Sequence, residues 1–344
     1  MLHDFRWCTF DCTPSESEHM TRVLNNKLLQ VVLIALIISV AALCIFTPDI
    51  FVLKQGANFT VQIMFANLIL AMFFMVKNQN RLMFVALAAC GVLALYLKGT
   101  TDQSLKFPSK NDYAQISVAH IDLSLSEDFD ETMHMILISD VDLISFQEYT
   151  PIWDEFLSNE LTNRYPYRIT MNRIDPYGKA FFSKYPLTDN DTMNFEGFEG
   201  IPSLHTAVMI NATTKIHVVS THTIPPVNEQ AYQRIGDYFQ EVGAYVGALK
   251  GPVLTLGDFS LPAWSNEIKE FKQFAKLNDS RRDVMMRSKA NPVFFFNIPI
   301  DHIFYTNDFE CTAFNSISGD KSSHLGISGN YQLKALASLE PDDH

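Results

Sequence analysis

The hydrophobic pattern changes character near residue 98. Before it, three long apolar runs follow one another, residues 28–46, 59–76 and 82–97, and none contains Asp, Glu, Lys, Arg or His. Such runs predict helices that cross a hydrocarbon core of about 30 Å at ~1.5 Å per residue. The third run is short and would stand nearly upright. After residue 112 the apolar residues come in short bursts. Strand-like runs fall at 115–121, 143–146, 179–182, 206–210, 216–220, 253–256 and 300–305. Helical spacing appears at 129–138 and most clearly at 228–249, where Ala231, Ile235, Tyr238, Phe239, Val242, Tyr245, Val246 and Leu249 share one face.

This pattern divides the chain. Residues 1–19 lack periodicity and are expected to be a disordered leader. Residues 20–98 form a three-helix transmembrane region, 99–112 a linker, and 113–344 one large α/β domain. Arg22 and Lys27 precede the first span, and Lys77 and Arg81 lie between the second and third. The positive-inside rule puts these on the cytoplasmic side, so three spans would deliver the large domain outside the cytoplasm. With no Asp, Glu, Lys, Arg or His inside the spans, no ion pathway suggests itself and a transporter is disfavoured.

Composition narrows the function. The formal net charge is −12, which gives no strong case for non-specific nucleic-acid binding, because affinity for phosphate backbones rests on Lys and Arg. Of five cysteines, only Cys311 lies in the large domain, so that domain has no internal disulfide.

The strands end unusually. The run at 143–146 leads into Gln147-Glu148, 216–220 into Thr221-His222, 253–256 into Gly257-Asp258, and 300 into Asp301-His302. A strand end is commonly polar, so each alone is weak. Together they offer carboxylates and imidazoles that could converge at one sheet edge.

In chain order, "ISVAHIDLS", "DLISFQEYTP", "YGKAFFSKYPL", "VVSTHTIPP", "LTLGDFSLPAWS", "IPIDHIFYTND" and "KSSHLGI" resemble the endonuclease/exonuclease/phosphatase superfamily, which includes deoxyribonucleases, sphingomyelinases and inositol phosphatases. The hydrophobic spans and the "PAWS" element are most similar to a membrane-anchored bacterial branch. The resemblance implies a two-layered β-sandwich flanked by helices and a hydrolase using Mg²⁺ (or Mn²⁺) on a phosphoester of unspecified class. It assigns Glu148 to the metal and Asp258 to the metal or the attacking water. It makes His324 the catalytic histidine, Asp301 the carboxylate that orients it, and His222 a donor to phosphate oxygens.

Three positions depart from the family pattern. His120 stands where the first strand carries asparagine, Ser260 replaces the last asparagine of the Gly-Asp-Phe-Asn turn, and Ser323 replaces the aspartate before His324. These losses leave open a second reading, a catalytically inactive member acting as a membrane-tethered binding or scaffold module. Arg281-Arg282 offers either an anion contact or a solvated face.

Overall fold

The computed structural model describes residues 23–100, 112–126, 128–281, 298–318 and 325–334. The chain falls into two compact units, Met1–Tyr96 and Leu97–His344. The leader expected at 1–19 and most of the 99–112 linker lie outside the described residues.

The first unit holds α1 (Lys27–Phe46), α2 (Phe51–Ala57), α3 (Thr60–Val76) and most of α4 (Asn80–Gly99). Asn26 caps α1, its side-chain oxygen accepting from the Leu28 and Leu29 N–H groups. Among the described residues two helices, α1 and α4, are long and apolar enough to cross a membrane. The middle apolar run, 59–76, coincides with α3, which has 17 residues; α2 precedes it at a 66° bend, and the two pass the same test only when taken together. Small residues Ala41, Ala71, Ala86 and Ala89 pack with Ile37, Phe74, Leu82 and Leu93 where the helices meet.

The second unit is built on two six-stranded sheets. The strands are β1 (Gln115–Asp122), β2 (Leu143–Gln147), β3 (Tyr167–Met171), β4 (Lys179–Ser183), β5 (Leu187–Met193), β6 (Ser203–Met209), β7 (Lys215–His222), β8 (Val253–Asp258), β9 (Leu277–Asp279), β10 (Asp301–Thr306), β11 (Phe309–Ile317) and β12 (Gly326–Leu333). One sheet runs β11-β12-β1-β2-β4-β3 and the other β5-β6-β7-β8-β10-β9. Each contains one parallel pair at its centre, β1/β2 and β7/β8, among antiparallel neighbours.

A parallel pair needs a crossover, and a helix supplies it. α5 (Phe129–Ser139) links β1 to β2, and α7 (Glu229–Ala248) links β7 to β8. Asn228 caps α7 by accepting from the Ala231 N–H. The buried face of α7 includes Ile235, Tyr238, Phe239, Val242 and Val246, as the spacing predicts. α6 (Pro151–Leu161) joins α5 over the outer face of the first sheet, burying Trp153, Leu157 and Leu161 with Ile144, Phe146 and Phe182. α8 (Asn266–Phe274) follows β8.

Between the sheets lies a dry core. Ile116, Val118, Leu143 and Phe181 of one sheet pack with Val218, Leu254, Leu256 and Ile303 of the other. All are at most 2% exposed, so each contributes roughly 1.5–3 kcal/mol of burial.

Candidate functional site

Side chains alternate along a strand, so the inner-facing set can be followed residue by residue. In β1 it reads Ile116, Val118, His120, Asp122; in β2, Leu143, Ser145, Gln147; in β7, Ile216, Val218, Ser220, His222; in β8, Leu254, Leu256, Asp258. Each strand turns from apolar to polar towards its C-terminal end. β10 runs the other way and starts polar, with Asp301 before Ile303.

Pairing register aligns these ends. In the first sheet Asp122 pairs with Gln147, and Gln147 with Lys179. In the second, His222 pairs with Asp258, and Asp258 with Asp301. The two rows meet across the sandwich. Gln147 Oε1 accepts from the Asp258 N–H at 3.1 Å, and one layer deeper Ser145 Oγ donates to Ser220 Oγ at 3.1 Å. The structure therefore brings His222, Asp258 and Asp301 together, with His120 buried beside Ser145 in the next layer.

Local geometry fixes several of these groups. Gly257 has φ 148°, and a Cβ there would overlap the Thr221 carbonyl oxygen. Only glycine lets β8 lie this close to β7 just before Asp258. Ser260 adopts a left-handed φ of 54°, and its N–H donates to Asp258 Oδ1 at 2.6 Å. Glu148 also has φ 54°, which takes it out of the alternation of β2. Arg281 is not a solvated face. It is buried, its Nη2 donates to the Asp301 carbonyl at 2.6 Å, and its guanidinium lies over the Phe314 ring. Arg282 lies outside the described residues, as do Ser323 and His324.

The electrostatics are those of crowded carboxylates. Burial, then the neighbouring Asp301 and Glu148, push Asp122 up to about 7. Burial and then Asp301, with Asp122 and Glu148 behind it, raise Asp258 well above the usual carboxylate range. Burial raises Glu148 as well. His222 goes the other way, down to about 3, through burial and then the Lys179 ammonium. Its Nδ1 faces the Pro176 carbonyl at 3.1 Å. A carbonyl only accepts, so Nδ1 carries the proton and the neutral ring presents Nε2 as an acceptor.

Among the described residues no three His, Cys, Asp or Glu side chains form a metal cage. The donor chemistry still fits a hard divalent cation. Asp122, Glu148 and Asp258 are carboxylates that repel one another when ionised, and a cation among them would relieve that repulsion. Sequence reasoning missed Asp122, Gln147 and Lys179 as members of this site. The signal was there: Asp122 lies two residues after His120 and Lys179 two before Phe181, on the same strand faces.

The model of the Endonuclease/Exonuclease/phosphatase family matches residues 123–318. That segment contains Glu148, His222, Asp258, Ser260 and Asp301, but neither His120 nor His324. No curated protein matches the chain. Among solved structures, the endonuclease/exonuclease/phosphatase from Bacteroides vulgatus is 17% identical with a TM-score of 0.52, covering 64% of this chain and 100% of that one. A humanized D. rerio TDP2 is 13% identical with a TM-score of 0.52, covering 63% of this chain and 99% of that one. These likenesses are of fold. With more than half of its length matched by the family model, and with two mixed sheets flanked by helices, the chain belongs to the endonuclease/exonuclease/phosphatase family.

Proposed function

We propose that this protein is a membrane-anchored, metal-dependent phosphoester hydrolase whose site departs from the family pattern. The observation that carries the reading is the meeting of two rows, Asp122–Gln147–Lys179 and His222–Asp258–Asp301, at one edge of the sandwich. α1 and α4 supply the anchor, and the bent α2–α3 pair is taken as the third span. Lys77, just after α3, and Arg81, in the first turn of α4, would then lie on the cytoplasmic side and the hydrolase domain outside it. A C-terminal reporter active only in the cytoplasm would overturn that topology.

Asp122 and Glu148 would hold Mg²⁺ or Mn²⁺, which when bound polarises the phosphoryl group and offsets its charge. Asp258 is held by its own N–H on Gln147 and by the Ser260 N–H on its carboxylate. So fixed, it orients the attacking water and accepts its proton, and its raised proton affinity suits that task. Asp301, locked through its backbone by Arg281, would orient His324, the group assigned to protonate the leaving oxygen.

The test is turnover by the full chain in detergent. Hydrolysis of bis-p-nitrophenyl phosphate and of phospholipid esters is followed with Mg²⁺, Mn²⁺ or chelator. Glu148→Ala and His324→Ala are expected to lose activity on the order of 100-fold or more. Ser323→Asp is expected to raise activity or metal affinity by restoring an anionic ligand. A rate indifferent to both chelator and Glu148→Ala would sink the metal mechanism. His120, Ser260 and the acceptor-facing His222 favour a second reading, an inactive binding module. It predicts no metal-dependent rate in the wild type and little rescue by Ser323→Asp.

A further inference from the structure

Lys179 has no exposed surface. Among the described residues its ammonium has one acceptor, the Tyr177 carbonyl, at a long 3.4 Å, and it lies 6.0 Å from the centre of the Tyr177 ring. Asp175, the carboxylate that acts on it most, is already paired with Arg173. An ammonium has three N–H donors, and a buried cation without a counter-charge is costly. Tyr177 alone does not compensate it, and burial, then Arg173, lower its pKa to about 7, so a bound anion is what keeps it protonated.

The residue beside it is in the same state. Gln147 pairs directly with Lys179 between β2 and β4, on the inner face, and is fully buried. Its oxygen is committed to the Asp258 N–H. Only oxygen can accept that bond, so the amide nitrogen is the free end. That nitrogen is buried without an acceptor among the described residues. Two adjacent buried donors, one cationic, share one row of the site. His222, in the row of the facing sheet, offers an acceptor at Nε2 rather than a donor. The ligand that completes this arrangement is an acceptor carrying negative charge.

We infer that Lys179 and Gln147 form an oxyanion subsite at the edge of the sandwich where the two rows meet, binding a tetrahedral phosphoryl or sulfuryl group. Lys179 takes the donor role assigned by resemblance to His222. The inference rests on the proposed hydrolase reading only for the identity of the anion as a substrate phosphate. Binding itself requires neither metal nor turnover.

The full chain in detergent is titrated with inorganic phosphate and, separately, sulfate by calorimetry, with chelator present throughout. Wild type is expected to bind both. Lys179→Met is expected to weaken binding about tenfold or more, the size of a lost charge-assisted hydrogen bond. Without anion, Lys179→Met should unfold at a higher temperature than wild type, because a thioether of similar length replaces an uncompensated buried cation. Three results would overturn the inference: no anion binding by wild type, equal affinity in wild type and variant, or a variant that is less stable than wild type or fails to fold. The last would make Lys179 a structural residue. Anion binding through Lys179 in a protein without hydrolysis would leave this subsite standing and remove the enzyme reading. Metal-dependent hydrolysis with unaltered anion binding in Lys179→Met would do the reverse.

Discussion

Gln147 Oε1 accepts a hydrogen bond from the backbone N–H of Asp258 at 3.1 Å, and the two residues lie 111 positions apart in different sheets. The bond sits where both central parallel pairs end, so it sets the spacing of the two rows that make up the site. Gln147→Leu leaves the Asp258 N–H buried and unpaired. It should destabilise the protein by about 1–3 kcal/mol, read as a lower urea midpoint at unchanged slope. An unchanged midpoint would mean that the bond holds nothing in place.

Ser260 bears a left-handed backbone, φ 54°, while its N–H holds the Asp258 carboxylate. Serine accepts that conformation poorly, asparagine better. Ser260→Asn is therefore expected to raise stability by roughly 0.5–1 kcal/mol, whereas Ser260→Val should lower it by a similar amount or more. Thermal unfolding of the two variants separates backbone preference from side-chain chemistry, since both lose the hydroxyl. Equal melting temperatures would contradict the assignment.

Asp122 is a buried carboxylate facing Asp301 and Glu148. Asp122→Asn removes the charge at nearly constant shape. The metal-free protein should melt higher, because repulsion inside the cluster falls. The increase in melting temperature that wild type gains from Mg²⁺ or Mn²⁺ should shrink or vanish in the variant. A variant that gains as much from the cation as wild type would exclude Asp122 from the metal site.

A second histidine cluster lies away from this site, on the opposite face of the second sheet. His205 Nε2 and His217 Nδ1 are 3.0 Å apart, and the Tyr245 hydroxyl meets His205 Nδ1 at 2.9 Å. Asp189 and Asp191 of β5 and Lys215 of β7 also face the pair, and the Lys250 backbone bonds His217. Burial, then the partner ring, lowers His205 to about 4, and burial lowers His217 too. Free histidine titrates near ~6.5. Below that pH the unfolded chain takes up protons that the folded chain refuses. The pair's contribution is thus present above about pH 6.5 and is lost as pH falls towards 4. His205→Gln, which stays neutral, should flatten the fall in stability between pH 6.5 and 4 in urea titrations. An identical slope in variant and wild type would show that the pair does not govern it.

Much of this was legible in the chain. The strands at 143, 179 and 253 begin where the predicted runs begin, and Asn228 marks the start of α7, because alternation and capping are local properties. Strands β3, β5, β9, β11 and β12 were not legible. The first four lie at sheet edges, where one side lacks a partner, and β5 reads LTDNDTM with little apolar pattern. β12 lies inside its sheet between β11 and β1, and the two glycines of its sequence GISGNYQL interrupt the apolar alternation. The bend between α2 and α3 was equally invisible, since hydropathy measures the solvent a segment tolerates and not its straightness.

By itself the sequence determined which faces of the strands are buried and which strand ends are polar, and its motif order pointed to the family and to Glu148, His222, Asp258 and Asp301. Only the tertiary structure decided that Asp122, Gln147 and Lys179 stand in one row opposite His222, Asp258 and Asp301. It also decided that the Pro176 carbonyl sets the proton on His222 Nδ1, and that Arg281 turns inward to hold Asp301. The reason is physical. Hydrophobic periodicity encodes which way a side chain points, but register and cross-sheet partners arise from pairing between residues far apart in the chain, and no local pattern specifies which distant strand end will arrive beside which.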